Sequence, residues 1–371
     1  MRKLIFFILL ILLSIPVNGY AKTFAYLFAK DEIIKYDTET DTITTRIKAV
    51  DRVKGFKDLK GAACAVDMVN KYWVTTSLSD RIGFYIYDLL TLKQIKFVPL
   101  PAIIAEPENL KVVYPQQGTK FYIEVNDMSL NNGVGGFVTL AYDKKTQSYI
   151  GTVNNLLNNL VDENFWFSED QNTLHIETAE GNLRVYDSLT LSQSNTIDLS
   201  NVYAKNVWGK GIDDIKNSTA LLSENYKLQD GDKNNMSFLT YNITTTATST
   251  RVITGMDDES IQLTPDANKV VFVETQASSS LGTKAPKKGG TVTGRIHVYN
   301  AKTGSKVGLI TLPTDFSGQA LGIRPASDKL YYKVYSRDES KIRLEVVDLV
   351  GLKVLKEISV PNIYFMIFFD E

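Results

Sequence analysis

Apolar and polar residues alternate in short runs along the chain, and polar turns separate these runs. The runs at 84–87, 183–186 and 295–299 each end in such a turn, and further runs at 42–47 and 354–358 follow one. Alternation over about four to eight residues is typical of a half-buried β-strand. The pattern therefore predicts an all-β chain built from antiparallel hairpins.

Seven of the turns share one form. An aromatic or apolar residue precedes Asp or Asn, and Thr stands three positions later in six of the seven copies. An Asp or Asn side chain that accepts hydrogen bonds from amides two or three residues later closes a tight turn, and Thr adds a second local bond. The Asp or Asn positions lie 44 to 58 residues apart, at Asp37, Asp88, Asp143, Asp187, Asn242, Asn300 and Asp348.

A second hairpin signal stands upstream of the shared turn, for example at 167–176, 263–273 and 323–332. Each repeat thus contains four short strands. Four antiparallel strands repeated about every 50 residues are the sequence signature of a β-propeller blade. We predict a seven-bladed β-propeller that occupies residues 22–371 as a single domain.

The two ends of the chain predict how the ring closes. The first repeat begins at 24–28 and has room for only three strands, so its innermost strand is missing. The last repeat is followed by a fully apolar run at 363–369. We expect this run to supply the missing strand of blade 1, which would close the ring and cover an edge that would otherwise aggregate.

The blade ending is best preserved at 33–43. It resembles the ending of YVTN-repeat propellers, a WD40-like class, and of propellers similar to amine dehydrogenase heavy chains. This resemblance covers nearly the whole chain after residue 21, but it is shared by many propellers. It implies the fold, and it leaves open an enzyme or enzyme subunit of the quinoprotein dehydrogenase or lactonase type, with chemistry at the ring axis or on a partner chain.

The amino terminus has the pattern of a secretory signal peptide over residues 1–21. Arg2 and Lys3 precede an apolar run at 4–15, and small residues precede a cleavage point after Ala21. The run is shorter than the roughly 20 residues that a membrane span needs. We expect a cleaved signal and a periplasmic or extracellular product without a membrane span, with an uncleaved anchor as the alternative.

Composition narrows the function classes. The chain is 44% hydrophobic, so it can bury a large core. It has 41 basic and 42 acidic residues, so no overall positive charge attracts nucleic acid. Its one cysteine cannot form a disulfide framework, a thiolate zinc site or a haem attachment motif. We therefore expect a monomer that requires no cofactor.

Candidate partner residues fall in the long connections, which the propeller fold gathers on one face. Variable loops on a rigid scaffold are a common place for recognition. The alternatives are a solvated loop for the first three lysines below, a mobile loop without function for the last two, and core packing for the tryptophan. The candidates are Lys54, Lys57, Lys60, Trp208, Lys287 and Lys288.

Two acidic segments are weak candidates for a cation site. The first offers three alternating oxygen ligands, Asp230, Asp232 and Asn234, but it lacks the glycine and the final glutamate of a calcium loop. The second is the run Asp257, Asp258 and Glu259. A polar turn and a surface acidic cluster are the alternatives. We expect structural roles for His175, His297 and Cys64, and no catalytic constellation stands out.

The sequence thus favours a secreted or periplasmic binding or scaffold protein without catalysis of its own. Its partner would be a protein, a glycan or a cell surface. The enzyme or enzyme subunit described above is one alternative. A surface adhesion module whose basic loops meet anionic polymers is another, and its binding would be sensitive to salt.

Overall fold

A computed structural model describes most of the chain. The described residues are 22–29, 32–48, 64–78, 81–153, 164–168, 170–178, 181–205, 207, 209–227, 234–254, 260–274, 295–311, 316–324, 327–336 and 341–370. The predicted signal peptide, residues 1–21, lies outside them. No helix in these ranges is long and apolar enough to cross a membrane.

The described part contains 28 strands and a single 3-10 turn at Asn131–Gly133. In chain order the strands are β1 Thr23–Ala29, β2 Glu32–Asp37, β3 Thr42–Lys48, β4 Cys64–Asp67, β5 Tyr72–Ser77, β6 Gly83–Asp88, β7 Gln94–Pro99, β8 Pro107–Val113, β9 Lys120–Asp127, β10 Gly136–Asp143, β11 Tyr149–Val153, β12 Phe165–Phe167, β13 Thr173–Glu177, β14 Leu183–Asp187, β15 Gln193–Ile197, β16 Gly209–Lys216, β17 Thr219–Lys227, β18 Asn234–Asn242, β19 Val252–Ile253, β20 Ser260–Leu263, β21 Lys269–Glu274, β22 Arg295–Asn300, β23 Lys306–Thr311, β24 Phe316–Ile323, β25 Lys329–Ser336, β26 Ile342–Asp348, β27 Lys353–Ser359 and β28 Ile363–Asp370.

These strands form seven four-stranded antiparallel sheets in a ring, which confirms the seven-bladed propeller. Blade 1 has the order β28-β1-β2-β3 from the inner to the outer strand. Blades 2 to 7 each take the next four strands in chain order, starting with β4, β8, β12, β16, β20 and β24 as inner strands.

The carboxyl-terminal strand closes the ring as predicted. Strand β28 pairs antiparallel with β1, so that Thr23 stands opposite Asp370 and Phe28 stands opposite Phe365. Ile363 and Met366 of β28 are buried in the core that blade 1 shares with blade 7. One sheet therefore unites the two ends of the described chain, and the inner edge of β1 is covered.

All seven shared turns join the third and fourth strands of a blade. In each turn the Asp or Asn side chain accepts backbone amides, and the seventh copy, where Gly351 replaces Thr, has no hydroxyl to donate. Asp88 Oδ1, for example, accepts hydrogen bonds from the amides of Leu90 (3.1 Å) and Thr91 (2.6 Å) and from the Thr91 hydroxyl (2.7 Å). The residue after the Asp or Asn donates its amide back to the inner hairpin, as Leu89 does to Lys71. Each turn thereby also fixes the start of the second strand.

Aromatic side chains fill the spaces between blades. The residue before the Asp or Asn is buried in every repeat, and it is a tyrosine in six of them. Tyr36 of blade 1 meets Tyr331 of blade 7 edge to face, with ring centroids 5.7 Å apart. Phe84 of blade 2 packs edge-on against Phe121 and Tyr142 of blade 3. The core is therefore a set of layers between adjacent sheets.

The connections differ on the two faces of the ring. The turns within the inner and outer hairpins are short, as at 68–71 and 301–305, and the longest of them is 243–251. The opposite face carries the connections between blades and between second and third strands, including the described connections 100–106 and 128–135. We call these the short-turn face and the long-connection face.

Candidate functional site

Most sequence-predicted site residues lie outside the described part of the chain. Asn234 alone falls within it, as the first residue of β18. The others are Lys54, Lys57, Lys60, Trp208, Asp230, Asp232, Asp257, Asp258, Glu259, Lys287 and Lys288. Their roles stay predictions.

The two histidines lie where the sequence predicts, on separate blades. His175 is in β13 of blade 4 and His297 is in β22 of blade 6, and both side chains are buried. Burial lowers the pKa of His175, which favours the neutral ring. Cys64 opens β4, the inner strand of blade 2, as expected. Within the described ranges, no three His, Cys, Asp or Glu side chains are grouped to hold a metal ion.

Buried acids organise the long-connection face. Asp127 ends β9, and its carboxylate accepts the amides of Ala105 and Glu106, each at 3.0 Å, and of Ser129 at 3.0 Å. These bonds outweigh burial, which alone would raise the pKa of Asp127, and hold that pKa below its usual value. One carboxylate thus anchors the connection into blade 3 and the connection within it.

Glu224 has the same role in blade 5. Its fully buried carboxylate accepts two hydrogen bonds from the Arg251 guanidinium, at 2.7 and 3.0 Å, and one from the Ala204 amide at 2.6 Å. Arg251 also donates to the carbonyl of Val202 at 2.8 Å. The connection 198–208 is therefore held against blade 5 by a paired, hydrogen-bonded charge, the form in which buried charges are stable.

Four exposed aliphatic side chains lie on this face, in the connections of blades 2 and 3. Leu78 and Ile82 flank the connection between β5 and β6, Ile103 lies between β7 and β8, and Val134 lies between β9 and β10. Ile103 is 56% exposed and Val134 is 80% exposed. Contiguous exposed apolar surface is a feature of sites that contact other proteins, so these four side chains are the candidates on this face.

A cavity of about 340 Å³ lies among the inner strands of blades 3, 4 and 5; we call it the inner-strand cavity. The Lys111 ammonium lies 5.2 Å from the centre of the Phe165 ring. Glu177 accepts a hydrogen bond at 2.8 Å from the backbone amide of the lining residue Ile212. Burial raises the pKa of the Glu177 carboxyl. The lining residues are Lys111, Asn164, Phe165, Trp166, Ile212 and Asp213.

Trp166 has contacts on two sides. It lies on inner strand β12 and lines the inner-strand cavity, and it also packs against the core cluster between blades 4 and 5.

A larger cavity of about 680 Å³ lies on the short-turn face, among the inner-hairpin turns of blades 4 to 7; we call it the turn cavity. Its lining residues are Phe167, Ser168, Gln171, Ile215, Lys216, Asn217, Pro265, Asp266, Ser327 and Asp328. Sequence reasoning identified three of these turns as hairpins but did not single out any of their residues as a site. The sequence feature that could have indicated these residues is the recurrence of polar residues at the same turn in successive repeats.

Comparison with known proteins supports the fold alone. No family model matches the chain, and no curated protein matches its sequence. Among solved structures it is similar to the dihydro-heme d1 dehydrogenase NirN in complex with DHE, at 10% identity and a TM-score of 0.54, over 96% of this chain and 78% of that one. It is also similar to Kuenenia stuttgartiensis hydrazine synthase, at 14% identity and a TM-score of 0.51, over 82% and 88% of the two chains.

Proposed function

We propose that the protein is a secreted or periplasmic propeller that binds a partner protein through its long-connection face, without catalysis of its own. The observation that carries this proposal is the group of exposed aliphatic side chains at Leu78, Ile82, Ile103 and Val134. Buried Asp127 fixes the two connections that present Ile103 and Val134, so this surface is preorganised.

Site-specific photo-crosslinking in the native cells tests the partner surface. A photoreactive amino acid at Val134 is expected to capture one defined protein. The same residue at Ile253, which is 68% exposed on the outer strand of blade 5, is the matched control and should capture none. Ile103→Asp should reduce capture at position 134 about tenfold or more, since it places a charge in an apolar contact. Equal capture at both positions would refute the proposal.

The proposed location has its own test. Amino-terminal sequencing of the mature protein from the native cells should begin at Lys22, in an envelope or extracellular fraction. A cytoplasmic protein that retains Met1 to Ala21 would contradict secretion.

An enzyme or enzyme subunit is the second candidate. It draws on the inner-strand cavity, where Lys111 and Asp213 bring opposite charges beside aromatic rings. It also draws on the similarity to NirN, named as a dehydrogenase, and to hydrazine synthase. Protein purified from its native cells should then carry a coloured cofactor or turn over a substrate, and Lys111→Met should abolish that property. A colourless, inactive native protein would favour the binding role.

A further inference from the structure

The walls of the turn cavity are joined to one another by bonds between blades. Asn217 of blade 5 donates its side-chain amide to the carbonyl of Pro265 in blade 6, at 3.0 Å. Lys269 of blade 6 pairs with Asp328 of blade 7 at 2.6 Å. These bonds tie three of the four turns together, so the cavity does not need a ligand to form.

Charge in and beside the turn cavity is largely compensated. The Lys216 ammonium lies 3.3 Å from Asp214, and Lys269 neutralises Asp328. The remaining carboxylate, Asp266, accepts bonds from Thr264 at 2.6 Å and from the Asn268 amide at 3.0 Å. An anionic ligand would meet no excess of positive charge among these residues, which argues against phosphate or nucleotide recognition.

The lining combines hydrogen-bonding groups of both kinds with apolar surface. Gln171 and Asn217 contribute amides, and the carboxylates retain lone pairs that accept further bonds. The Ser327 hydroxyl accepts the Lys329 amide at 3.3 Å and keeps its proton for a ligand, whereas the Ser168 hydroxyl donates to Asp170 at 2.6 Å. Phe167, Ile215 and Pro265 supply the apolar part. A ligand that matches this lining carries many groups that both donate and accept, together with C–H faces that pack on apolar side chains.

We propose that the turn cavity binds a neutral oligosaccharide, because sugars combine hydroxyl edges with C–H faces and carry no charge. Its volume of about 680 Å³ lies within the range of small-molecule sites, about 300 to 1,000 Å³. This site is on the short-turn face, so it does not rest on the proposed partner surface of the opposite face.

Titration calorimetry of the full mature chain with maltotriose, cellotriose and chitotriose tests the proposal. At least one trisaccharide is expected to bind. Lys216→Met keeps the aliphatic stem but removes the ammonium donors, and it should weaken binding about tenfold. Ser327→Trp should abolish binding because the indole fills the cavity. The matched control is Lys302→Met, at an exposed residue in the outer-hairpin turn of blade 6 on the same face, and it should bind like the parent.

Several results would overturn the site. One is the absence of binding by all three sugars. Another is parental affinity in both Lys216→Met and Ser327→Trp, with melting curves that show folded protein. Tighter binding of inorganic phosphate or spermidine than of any trisaccharide would instead assign the cavity to a charged ligand. Crosslinking at Val134 is unaffected by these variants if the partner surface is correct, so the two proposals fail separately.

Discussion

At the scale of single residues, a side-chain oxygen of Asp or Asn accepts the hydrogen bonds that close each outer hairpin. Asp187 Oδ1 accepts the Thr190 amide at 2.8 Å and its hydroxyl at 2.7 Å. Asn242 Oδ1 accepts the corresponding groups of Thr245 at 2.7 and 2.9 Å. The bonds need an acceptor and no charge, which explains why both residue types occur at this position.

Asp and Asn at this position differ in how their contribution to stability changes at low pH. The hydroxyl and amide of Thr190 hold the pKa of Asp187 below its usual value. A carboxyl with a lowered pKa stabilises the fold above the unfolded value of about 3.9 and loses that contribution as the pH falls through the folded value. Asp187→Asn should therefore show a smaller drop in melting temperature between pH 7 and pH 3 than the parent.

The reciprocal change provides the control for this prediction. Asn242→Asp should enlarge the acid-induced drop in melting temperature, since it adds a titrating group in the same geometry. Identical drops in the parent and both variants would show that turn carboxylates do not contribute to acid sensitivity.

At the scale of the hairpin, every outer turn requires a left-handed residue four positions after its Asp or Asn. These residues have φ between 52° and 70°, and only one is glycine: they are Asp41, Leu92, Gln147, Leu191, Thr246, Gly304 and Leu352. The sequence does not reveal this requirement, because five of the seven positions carry side chains that ordinarily avoid left-handed backbone, and only Gly304 and Asp41 are of types that adopt it readily. Bonds and packing of the surrounding turn impose it.

Gly304→Ala should lower the free energy of unfolding by about 1 to 3 kcal/mol. The added Cβ would lie 2.5 Å from the carbonyl oxygen of Thr250, at a φ of 70°. Thr246→Gly, in the preceding blade, is the opposite test: it relieves a β-branched residue at φ 60° and should be neutral or stabilising by up to about 1 kcal/mol. Urea denaturation measures both, and a neutral Gly304→Ala would contradict the steric argument.

At the scale of the whole molecule, polar side chains join blade 7 to blade 1 where the ring closes. Asp41 of blade 1 pairs with Lys329 at 2.7 Å and accepts the hydroxyls of Tyr36 and Tyr331, each at 3.2 Å. Arg324 pairs with Glu39 alongside. These bonds reinforce the pairing of β28 with β1, so the closure combines a shared sheet with a partly buried polar network.

Lys329→Met should reduce the free energy of unfolding by about 1 to 3 kcal/mol, because it leaves the largely buried carboxylate of Asp41 without its cation. The matched control, Lys306→Met, changes an exposed residue on the outer strand β23 and should alter stability by less than about 0.5 kcal/mol. Equal effects of the two substitutions in thermal unfolding would show that the ion pair between Lys329 and Asp41 does not stabilise the contact between blades 1 and 7.

The sequence alone was sufficient for the number of blades, the hairpins and the closing strand. Each of these rests on local chemistry: the period-two alternation, the Asp or Asn of each turn, and an apolar last run at 363–369 that has to be buried. The first two signals lie within single repeats of about 50 residues, and the third comes from comparing the two ends of the chain. None of them requires knowledge of contacts between repeats.

Only the tertiary structure decided which turns and connections meet. Asn217, Pro265 and Asp328 stand in different repeats, and nothing in their local sequence states that they line one cavity. The same holds for Ile103 and Val134, whose positions depend on Asp127. Local pattern specifies each blade, but sites arise between blades, where the order and closure of the ring bring distant residues together.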